Sequence, residues 1–301
     1  MPFHTQTDAF PEAGQKLLRE QRAMRKEKLF AAPGLLLGFA GVLIIVLAAL
    51  LIPLLSNVDP NKMQVANRLR PPSAINIFGT DEFGRDLFTR IMYGARVSIS
   101  VGLIVSLLSA LIGTVIGVYA SYFRIWDHIL MRICDGLIAI PGVLLAIALM
   151  AALGASIWNV ILALTVVFTP SISRVVRSGA LVSKEQAYVE AARVQGASNF
   201  RILFTIIVPS ILSPLLVQAT FIFAQAILSE AALSFLGVGI PAPAASWGNI
   251  LQASRIVLSK APWMAIFPGF AVILTVLSLN LLGDGLRDYF DPRTKGSRRI
   301  K

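Results

Sequence analysis

Ser183-Lys184-Glu185-Gln186-Ala187-Tyr188-Val189-Glu190-Ala191-Ala192-Arg193-Val194-Gln195-Gly196-Ala197-Ser198-Asn199-Phe200-Arg201, continuing through Ile202 to Pro209, is a charged, glycine-interrupted insert between two apolar runs. Its pattern predicts two short helices and a turn. Ser183 and Gln186 have the spacing of a capping box, and Ala187, Ala191 and Val194 fall on one helical face. Gly196 supplies the turn at the helix end, Ser198 caps the second helix, and Pro209 marks the start of the next apolar run. A first helix of about three turns is not stable alone in water. It is either a docking element seated in a partner's groove or an amphipathic connector on lipid headgroups. Small residues on its face allow close approach, and Glu190 can bond across a junction.

Working outward, the flanking runs place this insert on a membrane protein. Only 14% of the residues are charged and 56% are apolar, against about 25% charged in a soluble domain. Six runs meet the length criterion of about 20 residues with some tilt: Ala31 to Leu55, Val97 to Tyr119, Gly136 to Leu153, Ile157 to Ser173, Ile211 to Ser229 and Met264 to Gly283, none containing Asp, Glu, Lys or Arg. The first run is longer than a cleaved signal requires and reads as a retained span. The segments between runs alternate sides, with 19 Lys and Arg on the side of both termini and 8 on the other. The positive-inside rule therefore puts both termini and the 183–209 insert in the cytoplasm. Topology accounts for the net charge of +11, and the basic residues lack the aromatic interleaving of a nucleic-acid surface.

The domain reading follows: a cytoplasmic tail over 1–30, a first transmembrane helix with an extracytoplasmic or interfacial segment over 31–96, a five-helix core over 97–283 and a basic cytoplasmic tail over 284–301. Within 31–96, Thr80 is placed as the N-cap of an interfacial helix running toward Arg96, with Leu87, Ile91 and Gly94 on one face. Asp81, Glu82 and Asp86, flanked by Arg85 and Arg90, read as a salt-bridged turn rather than a metal site. Gly113 and Gly117 have the small-residue spacing that lets helix backbones meet. Pro141-Gly142 and Pro170 interrupt helical hydrogen bonding and are pathway or hinge positions. Gln218, Gln225, Glu230 and Asn280 are the polar groups that could line a pathway, or tie helices together. The segment from Leu233 to Gly248 reads as a broken apolar loop on the outer face. Cys134, the only cysteine, reads as a small buried hydrophobe.

Enzymatic signatures are missing from the sequence. It has no Gly-Lys dipeptide with which to build a nucleotide-binding loop, no zinc-protease His-Glu-x-x-His and no Gly-x-Ser-x-Gly turn. An ion-driven secondary carrier or channel is the alternative class, and the lack of an ionisable residue deep in the runs argues against it. A non-transporting scaffold is a third.

Glu190-Ala191-Ala192, three residues, Gly196, nine residues, Ile206, one residue and Val208-Pro209 resembles the EAA loop of ABC importer permeases, with Val208 where that family usually has Leu. Gly79-Thr80-Asp81 with Gly84-Arg85-Asp86, Tyr93-Gly94-Ala95-Arg96, and Leu233-Ser234-Phe235-Leu236-Gly237 through Ser246-Trp247-Gly248 are similar to the C-type permease subunit of dipeptide and oligopeptide importers. The resemblance implies an all-α, six-helix type I importer permease fold in a bacterial inner membrane. It further implies pairing with a B-type permease, two ATPase subunits that bind the ATP and magnesium, and an extracytoplasmic solute-binding protein, with no cofactor on this chain. The helix at Lys184 to Gln195 would then be the coupling helix, with Ser183, Lys184, Ala187, Glu190, Ala191, Ala192, Gly196, Ala197 and Pro209 as its contact and hinge residues.

Overall fold

The computed structural model describes residues 33–55 and 59–290. The tail at 1–30, the first residues of the first run and the C-terminal 291–301 lie outside the described residues. All the regular secondary structure of the described chain is helical, apart from one isolated bridge between Thr80 and Asp86. Five helices are long and apolar enough to span a bilayer: α1 (Pro33–Leu55), α2 (Leu87–Tyr122), α5 (Ile157–Lys184), α8 (Leu212–Phe235) and α10 (Trp263–Phe290). Shorter ones are α3 (Arg124–Ala139), α4 (Gly142–Leu153), α6 (Ala187–Val194), α7 (Asn199–Ser210) and α9 (Trp247–Val257).

The third expected span is not a straight helix. Pro141 separates α3 from α4, and the two are bent by 94°. Proline removes a backbone donor and forces its predecessor out of the helical region, and Ile140 is accordingly extended. Packing nevertheless shows that the pair makes one crossing. Going along α2, Val101 and Val105 share a cluster with Val160, Ile161 and Leu164, and the Ser109 hydroxyl bonds the Thr165 carbonyl at 3.4 Å. Gly113 lies against Ile172, and Gly117 against Ser173 and Val176. The helices α2 and α5 therefore run parallel, and a chain that leaves one end and re-enters at the other has crossed in between. That makes six crossings. Pro170, by contrast, sits inside α5 without interrupting it.

Several other expectations move. The helix expected from Thr80 is instead the start of α2, capped by Asp86, whose carboxylate accepts from the Thr89 N–H at 2.8 Å. Thr80 is occupied elsewhere: its hydroxyl accepts from the Arg70 N–H and donates to the Asn67 carbonyl. The acidic turn is salt-bridged as expected, with Arg85 2.6 Å from Asp81, and Arg90 3.5 Å from the same carboxylate. The outer segment contains α9 as well as a loop, because Ser246 and Asn249 form a capping box ahead of the buried Trp247.

Glycine and serine set the helix spacing. A side chain at Gly38 or Gly285 would run into the backbone of Leu282 or Leu35, so α1 and α10 meet backbone to backbone. Opposite, α1 meets α2 through Arg96. Pro53 has no N–H to offer the Ala49 carbonyl four residues earlier, and Arg96 Nε donates to that oxygen at 2.7 Å. Its Nη2 also reaches the Leu50 carbonyl at 2.7 Å. The guanidinium thus replaces a hydrogen bond that the helix cannot make.

Arg96→Met strands the Ala49 carbonyl, and we expect it to cost about 1–3 kcal/mol. Pro53→Ala restores an N–H at that position, so Pro53→Ala/Arg96→Met should recover part of the loss. Thermal unfolding of the four variants in detergent checks this, and additive effects of the two substitutions would refute the substitution of one bond for the other.

Candidate functional site

The insert that opens the sequence sits at one end of the bundle, where α2 and α5 finish and α8 begins. Arrival there is fixed by polar ties between helix ends. Lys184, the last residue of α5, extends Nζ to the Ser121 carbonyl at 3.4 Å and lies over the Tyr122 ring at 5.3 Å. Tyr122 in turn donates from its hydroxyl to Asn199 Oδ1 at 2.6 Å. Ser183 does not cap a helix. It belongs to α5, and its hydroxyl pairs with that of Ser210 at 2.7 Å. Gln186 takes the N-cap position of α6 without a side-chain capping bond, its amide donating instead to the Val182 carbonyl, so the expected capping box is absent and the helix has 8 residues, about two turns.

Such a short helix is held by one side chain. Val189 is fully buried in a cluster with Val118, Ile172, Val176, Ala180, Ile202, Leu203, Ile207, Ile211 and Ile222. Ala192 and Ala197 are half-buried on the same inner side, whereas Ala187, Glu190, Ala191, Arg193 and Gly196 are exposed. The carboxylate of Glu190 has no partner among the described residues. Tyr188, Val194 and Phe200 add exposed apolar area, with Val194 84% and Phe200 66% accessible. A two-turn helix so mounted presents small and apolar residues outward while its anchor reaches into the bundle.

The exit from α6 follows the expected chemistry. Gly196 has φ of +80°, and the Ala197 and Gly196 N–H groups bond the Ala192 and Arg193 carbonyls, each at 3.0 Å. This pair of bonds closes a helix through a left-handed residue, which glycine adopts without strain. Ser198 then caps α7, accepting from the Arg201 N–H. Through Ile202–Ile207 the helix widens to a π-turn before Pro209, an arrangement that absorbs the proline's missing donor. Pro209 is exposed, and α8 starts only at Leu212.

The pathway residues are not gathered into one place. Gln218 donates to the Ser171 hydroxyl at 3.1 Å and ties α8 to α5. Gln225 is exposed, and Asn280 is half-buried on α10. Glu230 is wholly buried, accepting from Ser98 at 2.7 Å and Ser234 at 2.8 Å, and it joins α2 to α8 beneath Trp247. A charged groove absent from the sequence reading lies between α3 and α5, where Arg177 pairs with Asp127 (2.5 and 2.7 Å) and Arg174 with Asp135 (2.6 Å). The spacing of Asp127, Met131 and Asp135 down one face was its signal.

Residues 109–296 match the model of the family described as binding-protein-dependent transport system inner membrane component. The chain is 47% identical over 289 residues to a putative peptide transport system permease protein of Brucella suis biovar 1, covering 95% of this chain and 96% of that one. It is 45% identical over 263 residues to a dipeptide transport system permease protein of Alkalihalophilus pseudofirmus, covering 86% of each. It is 44% identical over 225 residues to a glutathione transport system permease protein of Pectobacterium atrosepticum, covering 74% of this chain and 75% of that one. Among solved structures, an inward facing conformation of the MetNI methionine ABC transporter matches with a TM-score of 0.55 at 19% identity, over 68% of this chain and 97% of that one.

Val189→Ala removes two buried methyl groups, worth about 1.5 kcal/mol at ~0.8 kcal/mol each. Hydrogen exchange of the amides in 189–195 should accelerate about tenfold while the spans stay protected. Unchanged exchange there would mean that Val189 is not the anchor of α6.

Proposed function

This chain belongs to the binding-protein-dependent transport system inner membrane components, and from that membership we propose how it works. It is a multi-pass inner-membrane permease subunit of an ABC importer, with the type I permease fold. We assign it as the C-type half of a peptide importer, pairing with a B-type permease to enclose the pathway. Two ATPase subunits bind the ATP and magnesium, an extracytoplasmic solute-binding protein delivers the solute, and this chain carries no cofactor and does no hydrolysis. The charge asymmetry of its polar segments supports a cytoplasmic position for both termini and α6. Peptides or peptide-like compounds are the solute class, on the strength of the relatives' names.

The observation that carries the mechanism is α6 itself: exposed on one side and anchored by Val189 on the other, between helices that cross the bilayer. We assign it as the coupling helix, with Ala187, Glu190 and Ala191 at the ATPase surface, Ala192 and Ala197 on its supporting side, and Gly196 and Pro209 as the turns that hold its angle. Ser183 and Lys184 join it to α5. ATP-driven closure of the ATPase pair displaces α6, and the displacement passes into α5 and α7 as a rigid-body change between two packings of the bundle. Gln218, Gln225 and Asn280 are pathway positions in this reading. Glu230 was the fourth such residue by sequence, and its complete burial between Ser98 and Ser234 favours a role in joining helices.

Gly196→Val places a branched side chain at φ of +80°, and Glu190→Arg inverts the charge on the exposed face. In the assembled transporter reconstituted in vesicles, each should lower ATP-dependent peptide uptake about tenfold or more, as expected for about 1.4 kcal/mol or more of lost coupling. The ATPase subunits should keep their basal hydrolysis. Wild-type uptake by both variants would sink the assignment of α6.

A further inference from the structure

The groove between α3 and α5 has a volume of about 480 Å³ and is lined by Asp127, His128, Met131, Arg132, Asp135, Arg174 and Arg177. Its depth follows from the helices. Counting about 20 residues for the hydrocarbon core from Ile157, the start of α5, reaches Val176, so Arg174 and Arg177 stand at headgroup level. Eight residues of α3, from Asp127 to Asp135, correspond to three of α5, from Arg177 to Arg174. Lying obliquely across α5 in this way, α3 starts at headgroup level at Asp127 and descends toward Gly142, which packs against Val167. Its composition agrees: Ile125, Trp126, Ile129 and Ile133 are exposed apolar residues, while the groove residues occupy the polar face. The charged first turns of a helix so divided lie at the interface with their apolar side in the acyl boundary.

Charge decides what the groove takes. Asp127 and Asp135 are each paired with an arginine, whereas Arg132 is exposed and paired with no group among the described residues. Arg124, at the first position of α3, adds another cation with no described acidic partner. The surplus is positive, beside hydrocarbon, at the depth of the phosphates. We propose that this groove binds the headgroup of an anionic phospholipid, with Arg132 contacting the phosphate and Arg174 and Arg177 held open for it by their aspartates. Basic pockets between helices at the cytoplasmic surface attract such headgroups, each cation contributing on the order of fivefold in binding. The site is separate from α6, and it rests on the family reading only for the presence of a bilayer.

The test uses the whole transporter, purified in detergent and reconstituted in nanodiscs of phosphatidylethanolamine with either phosphatidylglycerol or phosphatidylcholine. Native mass spectrometry counts the lipids kept after mild delipidation, without ATP or solute, so its result is independent of coupling. Wild type should retain phosphatidylglycerol in preference to phosphatidylcholine. Arg132→Gln should cut that retention about fivefold, and Arg132→Lys should keep it, which separates lost charge from lost fold. Equal retention of the two lipids, or undiminished retention by Arg132→Gln, overturns the proposal. Displacement of the lipid by millimolar inorganic phosphate overturns it as well, since the groove would then be a free-anion site.

Discussion

Inside hydrocarbon there is no water to bond a freed carbonyl, and the layout of this bundle follows from that one constraint. A proline leaves a carbonyl without its donor, and three prolines of the described chain meet that lack differently. Pro53 leaves the Ala49 carbonyl to Arg96, a residue of another helix. Pro209 is preceded by a π-turn that redistributes the bonds locally. Pro141 ends a helix outright, and the chain turns by 94° beside Val167 of α5. Charged side chains follow the same rule, because Arg96 and Glu230 enter the helical layer only where carbonyls or hydroxyls complete them.

Close packing without a hydrophobic drive is the second consequence. Lipid tails are as apolar as leucine, so helices associate where small residues bring backbones together. Gly113 and Gly117 hold α2 against α5, and Gly38 and Gly285 hold α1 against α10. The first contact has a mechanical use. Because α2 and α5 are parallel and touch along their length, both end at the same face, and the turn into α6 starts from a doubled support.

Much of this was legible in the sequence, and the parts that were not share a cause. Span positions, the isolated insert, the Gly196 turn and the Ser198 cap depend on local chemistry, so a single stretch reports them. The cap at residue 86 rather than 80 depended on which of two good capping residues was already occupied, and Thr80 is bonded to Asn67 and Arg70, which lie 13 and 10 residues away. Ser183 was diverted in the same way by Ser210. Hydropathy counted Gly136 to Leu153 as one run because proline in mid-run changes direction without changing composition. The Arg–Asp pairs between α3 and α5 join residues 39 and 50 apart, and nothing local announces them.

Those pairs bear on how movement of α6 is distributed. The helix is too short to deform internally before its anchor moves, since Val189 alone occupies the buried cluster from its side. In the proposed coupling, a push on α6 reaches α5 through Lys184 and reaches α7 through the Gly196 turn. Along α5 the next polar contacts are Arg177 and Arg174, whose aspartates belong to α3. Bidentate geometry at Arg177 resists rotation as well as separation, so α3 follows α5 until a pair breaks. Beyond α3 lies the 94° bend, where no helical hydrogen bond is made across the junction at Pro141. Motion arriving there would turn α4 about the bend, and α4 is the short apolar segment packed against α5 and α8 on one side and exposed on the other. On that proposal the path of polar contacts from α6 ends at this bend, beside Val167 of α5.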